Sequence, residues 1–215
     1  MTMTSRKLWK KFEKKWLANL PRVVFQGRIF VVQTEAEANK AVDYLLAQPL
    51  LGFDTETRPK FKPGAMNPVA LLQVATTDTC FLFRLNILGL PDALVRLLSD
   101  TTVRKVALSW KDDTHQLRRL RNFPMGDFVE LQHYVRQFGI EDAGLQKLYA
   151  NVFGQKISKS QQLSNWETET LTEGQKVYAA TDAWACLRLY AELEQLWRDG
   201  NWTLLDSEAV GPDNE

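Results

Sequence analysis

The stretch Leu50-Leu51-Gly52-Phe53-Asp54-Thr55-Glu56-Thr57 constrains the chain most, because a short apolar run ends there in two carboxylates one residue apart. The apolar part reads as a buried strand, and side chains at i and i+2 of a strand point to the same face. If the strand continues to Glu56, Asp54 and Glu56 project together at its end. Two neighbouring carboxylates repel and lose solvation unless a cation sits between them. A hard divalent ion such as magnesium or manganese is the natural partner, since it takes oxygen ligands. Alone, an Asp-x-Glu is more often a solvated strand end before a turn, so the rest of the chain has to decide.

The surrounding segments supply the layers such a strand needs. Arg28 to Gln33 is β-branched and aromatic, a strand. Thr34 and Glu37 form a capping box for a helix to about Gln48 that buries Ala38, Ala41, Val42, Leu45 and Leu46. Val69 to Thr76 and Cys80 to Leu85 read as a hairpin turning at Thr77, Asp78 and Thr79. Leu90 to Ser99 is an amphipathic helix with Pro91 in its first turn. Lys105 to Trp110 is a strand, and Lys111-Asp112-Asp113 opens a helix from Thr114 to Arg121, where an Asp is ordinarily a cap. Phe128 to Leu131, a helix-like Gln132 to Phe138, a helix from Gly144 to Phe153 and a polar irregular stretch over 155–171 follow. Thr172 opens a long helix to about Trp197, on which Tyr178 and Asp182 share a face one turn apart. These elements predict an α/β fold, a mixed β-sheet flanked by α-helices.

Three flanking stretches carry less decided signals. Ser5 to Leu20 reads as a helix with Trp9, Phe12, Trp16 and Leu20 on one face and Arg6, Lys7, Lys10, Lys11, Lys14 and Lys15 around it, ended by Pro21. Docking on the domain is the leading reading of that helix, with a nucleic-acid arm or a membrane-surface helix as alternatives. The loop from Arg58 to Pro68 leaves the carboxylate pair with Arg58, Lys60 and Lys62 around Phe61, suited equally to a phosphate backbone or to plain solvent. Ser207 to Glu215 is acidic with Gly and Pro, a frayed end. The organisation expected is a basic N-terminal helical extension over 1–27, one domain over 28–200 and an acidic tail over 201–215.

A net charge of +1 gives no global sign of a polyanion partner, so any such contact must be local. Cys80 and Cys186, far apart in apolar runs, read as buried free thiols, and with only two His the chain offers no zinc spacing. Neither a membrane-spanning run nor a signal peptide is visible, so the expectation is a cytoplasmic protein without a membrane partner.

Acidic residues recur at three element ends: Asp54 with Glu56, then Asp113, then Asp182 with Tyr178. In this spacing the chain resembles the 3′–5′ exonucleases that carry four acidic residues and a tyrosine, the DEDDy group. Phe53-Asp54-Thr55-Glu56 matches the first motif, Val106 to Leu117 the second with Asp113 at its acidic position, and Tyr178-Ala179-Ala180-Thr181-Asp182-Ala183 the third. Lys159-Ser160, Ser164-Asn165-Trp166 and Leu171-Thr172-Glu173 are similar to the Werner syndrome exonuclease branch, with ribonuclease D more distant. One departure is Gln162, where relatives in that branch can carry a basic residue.

The resemblance spans about residues 28 to 197 and implies a ribonuclease H-like fold. It also implies two divalent cations, Mg2+ or Mn2+, held by Asp54, Glu56, Asp113 and Asp182, with Tyr178 orienting the nucleophilic water. The activity implied is hydrolysis of phosphodiester bonds at the 3′ end of single-stranded or 3′-ended nucleic acid, DNA ahead of RNA, releasing nucleoside 5′-monophosphates. Thr55, Lys111, His115, Lys159 and Trp166 are candidate substrate contacts, Trp166 more readily a core residue. A helicase or repair partner is left unidentified, to be supplied by another protein. The competing reading is a nucleic-acid-binding protein that keeps the fold with weak catalysis.

Overall fold

The computed structural model describes residues 5–60 and 67–206. In chain order the elements are β1 (Arg6–Trp9), a 3-10 turn (Lys14–Ala18), β2 (Arg28–Val32), α1 (Glu35–Leu46), β3 (Leu50–Thr57), β4 (Val69–Ala75) and β5 (Thr79–Arg84). They continue with α2 (Leu85–Leu88), α3 (Asp92–Ser99), β6 (Arg104–Ala107), α4 (Trp110–Leu120), β7 (Phe128–Glu130) and α5 (Leu131–Tyr134). A 3-10 turn (Val135–Phe138), α6 (Leu145–Phe153), α7 (Glu173–Asp199) and β8 (Trp202–Leu205) complete the described chain.

Six strands form one mixed sheet in the order β2-β5-β4-β3-β6-β7, in which β4 alone runs antiparallel to its neighbours. Every residue of β4 is buried, as a near-continuous apolar strand covered on both faces must be. On one face Phe53, Leu72, Val74 and Phe83 pack with α1, α3 and α4. On the other, Leu71, Ala75, Cys80 and Leu82 meet Ala179, Ala180 and Ala183 of α7. Small side chains there let the helix lie close to the sheet. The capping boxes of α1 (Thr34 with Glu37) and α7 (Thr172 with Gln175) fix where both helices begin. This is the α/β sandwich expected from the element pattern. Among the described residues no helix is long and apolar enough to cross a membrane.

The N-terminal segment departs from its expectation. Instead of one helix over Ser5 to Leu20, Arg6–Trp9 is a strand paired in parallel with Trp202–Leu205, and only Lys14–Ala18 is helical, as a 3-10 turn. Tertiary partners override the helical spacing. The Asn151 side chain bonds both the Trp9 N–H and the Trp9 carbonyl, at 2.8 and 2.7 Å, and Asp142 accepts the Phe12 N–H at 2.6 Å. The aromatic residues dock as expected: Trp16 packs on Trp9 and Phe12, with ring centroids 4.8 and 5.2 Å away, over Ala150. For the expected tail over 201–215, Trp202–Leu205 is strand, while its acidic part from Ser207 lies outside the described residues. The middle of the 58–68 loop, with Phe61 and Lys62, also lies outside them.

Candidate active site

β3 runs on through Thr57, so Gly52, Asp54 and Glu56 share the face that meets α7. A Cβ built on Gly52 would lie 2.0 Å from the carbonyl oxygen of Ala183, so only glycine admits the α7 backbone this close. Asp182, next to Ala183, is thereby brought over the strand. One carboxylate oxygen each of Asp54, Glu56 and Asp182 lie within 4.8 Å of one another.

Asp113 joins from the other face. It stands in the first turn of α4, which begins at Trp110, earlier than the start at Thr114 expected from the sequence. Ser109 takes a left-handed backbone (φ 61°) ahead of it, and Glu130 at the end of β7 accepts the N–H groups of Ser109 and Trp110 at 2.9 and 2.7 Å. Glu130 thus holds the turn that aims Asp113, a role the sequence reading passed over. Its visible signal was an acid closing a short apolar strand, the same pattern as Asp54. Thr55, on the face opposite Asp54, donates its hydroxyl to Asp113 at 2.7 Å. Its side chain positions a carboxylate, where a substrate contact was expected.

Among the described residues the electrostatics are those of crowded anions, with the charge of Lys159 acting on Asp182 alone of the four carboxylates. Burial first, then the charges of Asp182 and Asp113, raise the Asp54 carboxyl well above its usual range. Burial and the charges of Asp54, Asp182 and Asp113 push Glu56 up to about 10. Asp182 rises to about 7 through burial, against a hydrogen bond from Tyr178 and the charge of Lys159. Asp113 rises to about 6 through burial, against the Thr55 hydrogen bond and helped by Asp112 and Glu130. Tyr178, a turn before Asp182, is raised far above an ordinary phenol by burial and then by Asp182 and Glu56. It is a neutral hydroxyl throughout the physiological range.

A cavity of about 230 Å3 opens onto Asp54, Tyr178 and Asp182, with Lys159 its one basic lining residue among the described residues and Gln162 also lining it. Asp54, Glu56 and Asp182, three hard carboxylates with no buried cation between them among the described residues, are the donor set of a divalent ion and fit one, and Asp113 stands near them. Trp166 does not reach the cavity as a substrate contact. It is fully buried, its ring 5.9 Å from that of Tyr178, so it backs the tyrosine. Lys111 and His115 are exposed on α4 and line a neighbouring cleft. Gln73, the cross-strand partner of Asp54, was also passed over: it is fully buried, with neither amide atom hydrogen-bonded among the described residues. A lone amide in the apolar run of β4 was its signal.

Three comparisons bear on this arrangement. Residues 29–197 match a family model described as a 3′-5′ exonuclease. The chain is 32% identical over 189 residues to the bifunctional 3′-5′ exonuclease/ATP-dependent helicase WRN of Mus musculus, covering 83% of this chain and 13% of that protein. It is 28% identical over 213 residues to a 3′-5′ exonuclease of Arabidopsis thaliana, covering 91% of this chain and 74% of that one. The crystal structure of the Aedes aegypti Nibbler EXO domain superposes with a TM-score of 0.74 at 22% identity, over 84% of this chain and 94% of that domain.

Proposed function

Because the chain belongs to the 3′–5′ exonuclease family, we propose that it hydrolyses the terminal phosphodiester bond at the 3′ end of a nucleic-acid strand and releases nucleoside 5′-monophosphates. The observation that carries this is the convergence of Asp54, Glu56 and Asp182 within 4.8 Å, with Tyr178 at the same cavity. Asp54, Glu56 and Asp182 would hold one Mg2+ or Mn2+ ion, and Asp54 with Asp113 a second. When bound, such a pair supplies Lewis-acid activation of the attacking water and charge stabilisation at the leaving oxygen.

The chain's own groups do the rest. Tyr178, protonated at neutral pH, is no general base; its hydroxyl orients the attacking water by hydrogen bonding. Trp166 behind its ring holds it there. Thr55 fixes the Asp113 oxygen at 2.7 Å, and Lys159 at the cavity mouth faces the negative substrate. The substrate put first is single-stranded or 3′-ended DNA and second RNA; a 2′-hydroxyl has to be read by the surrounding pocket. The site of action proposed is the cytoplasm, and a helicase or repair partner is left unidentified.

The test is a time course on 3′- and 5′-labelled DNA and RNA of one sequence, in magnesium, manganese and chelator, beside Asp54→Ala. The expected result is a metal-dependent ladder shortening from the 3′ end and absent in the variant. Binding of the strands without cleavage in manganese would replace this reading by the non-catalytic one.

A further inference from the structure

Strand β4 is buried along its whole length, and every residue of it but one is apolar. The exception is Gln73, fully buried, with neither its Oε1 nor its Nε2 hydrogen-bonded among the described residues. A buried amide without partners costs stability that a leucine or methionine in its place would not. The residues on either side of it on the same face, Leu71 and Ala75, pack on Ala179, Ala180 and Ala183 of α7, a layer that asks for no amide. The packing of the strand therefore does not account for Gln73.

The strand register says what the amide stands against. Gln73 lies between Asp54 on β3 and Leu82 on β5. Directly opposed residues share a face of the sheet, with Cβ atoms about 4.5–5.5 Å apart, a gap that a glutamine side chain can span. Leu82 offers nothing polar. Arg84, diagonal to Gln73 on β5, uses its guanidinium on the Asn86 side chain and on the carbonyls of Thr168 and Glu169. The polar side chain directly opposite Gln73 is thus Asp54, a member of the acidic cluster.

We propose that Gln73 is a positioning residue of the acidic site, whose Nε2 amide donates a hydrogen bond to the Asp54 carboxylate when that carboxylate holds a divalent cation. This rests on the exonuclease reading above. An ionised carboxylate only accepts, and a donor on an oxygen lone pair that the cation leaves free fixes the direction of the other lone pairs. Side chains that hold metal ligands in this way tune how tightly the metal binds. The site already uses the device twice: Thr55 donates to Asp113 at 2.7 Å, and Tyr178 donates to Asp182. Gln73 supplies the corresponding donor to Asp54. It does so from a central strand covered on both faces, which is a rigid mount.

The experiment uses Gln73→Met, which keeps an unbranched side chain of similar length, with Gln73→Leu as a second apolar variant. Manganese affinity is read from the rise in Tm with metal concentration, which requires no cleavage. Each variant is expected to weaken manganese binding about tenfold or more. In chelator each is expected to unfold in urea at or above the wild-type midpoint, because an unpaired amide has been removed. On a labelled single strand, kcat is expected to fall about tenfold with KM unchanged. An amide with only a packing role gives the opposite pattern, a lowered urea midpoint with manganese affinity unaltered. Wild-type manganese affinity in both variants overturns the assignment, whatever their stability, and leaves the exonuclease reading standing. A wild-type chain that binds manganese through Asp54, as Asp54→Ala shows, yet cuts no strand overturns the exonuclease reading, and the affinities still decide the role of Gln73. A wild-type Tm that manganese does not move overturns both.

Discussion

At the scale of single residues, the site stores repulsion that a bound cation would relieve. Asp113, Asp182 and Glu56 titrate at about 6, about 7 and about 10, all above their ordinary carboxyl values. A group with a raised folded-state pKa stabilises the fold below its unfolded value, and that contribution is lost as pH rises through the folded one. The metal-free protein is therefore expected to lose thermal stability progressively from about pH 4, near the ordinary carboxyl values, to about pH 10, the highest of the raised ones. Because protons and metal compete for the same oxygens, the rise in Tm on adding manganese is expected to be larger at pH 8 than at pH 6. Melting curves at the two pH values in chelator and in manganese check this, and a manganese effect independent of pH would contradict it. Asp182→Asn removes one of the crowded charges, so it should raise the metal-free Tm at pH 8 while weakening the manganese effect. At this scale the five motif residues were legible because their spacing is unusual. Gln73 and Glu130 were not, since one looks like a stray amide and the other like a strand-end acid until the turn at Ser109 is seen.

At the scale of elements, the contact of β3 with α7 sets the spacing of the carboxylates, and Gly52 lies within it. Adding one methyl there puts a Cβ 2.0 Å from the Ala183 carbonyl, which only a shift of the helix can relieve. Gly52→Ala is expected to cost about 1 to 3 kcal/mol in urea unfolding, as overpacking does. A displacement of about 1 Å between Asp54 and Asp182 is also expected to lower kcat about a hundredfold. A fully active, fully stable Gly52→Ala would show that the contact does not position the site. The strand and the long helix were both readable from apolar runs and capping residues. The start of α4 was not, because Ser109 adopts a left-handed backbone held from outside by Glu130, a side chain 21 residues on. The N-terminal helix was misread because its aromatic spacing suits a helix, while β8 and Asn151 offered the backbone better partners.

At the scale of the molecule, the first and last described strands fasten together on the outside of the α6–α7 layer. Asn151, buried in α6, makes both of its backbone bonds to Trp9 there. Asn151→Ala strands that N–H and carbonyl, and is expected to cost about 2 kcal/mol in urea unfolding, with kcat unaffected. A stability equal to wild type would mean the strand is held by its aromatic residues alone. The pairing also has a bearing on the order of assembly. Ser5 and Thr203, whose hydroxyls meet at 2.9 Å, are 198 residues apart in the chain, so nothing local can bring them together. Contacts of such separation reward the chain only after the entropy of closing the intervening loop has been met, and the sheet and α7 shorten that loop as they form. The fastening of β1 to β8 is therefore expected to close last in folding and to open first in unfolding. In native-state hydrogen exchange the amides over 6–9 and 202–205 are expected to exchange with solvent before those of β3 and β4, and equal protection of the two sets would contradict this order.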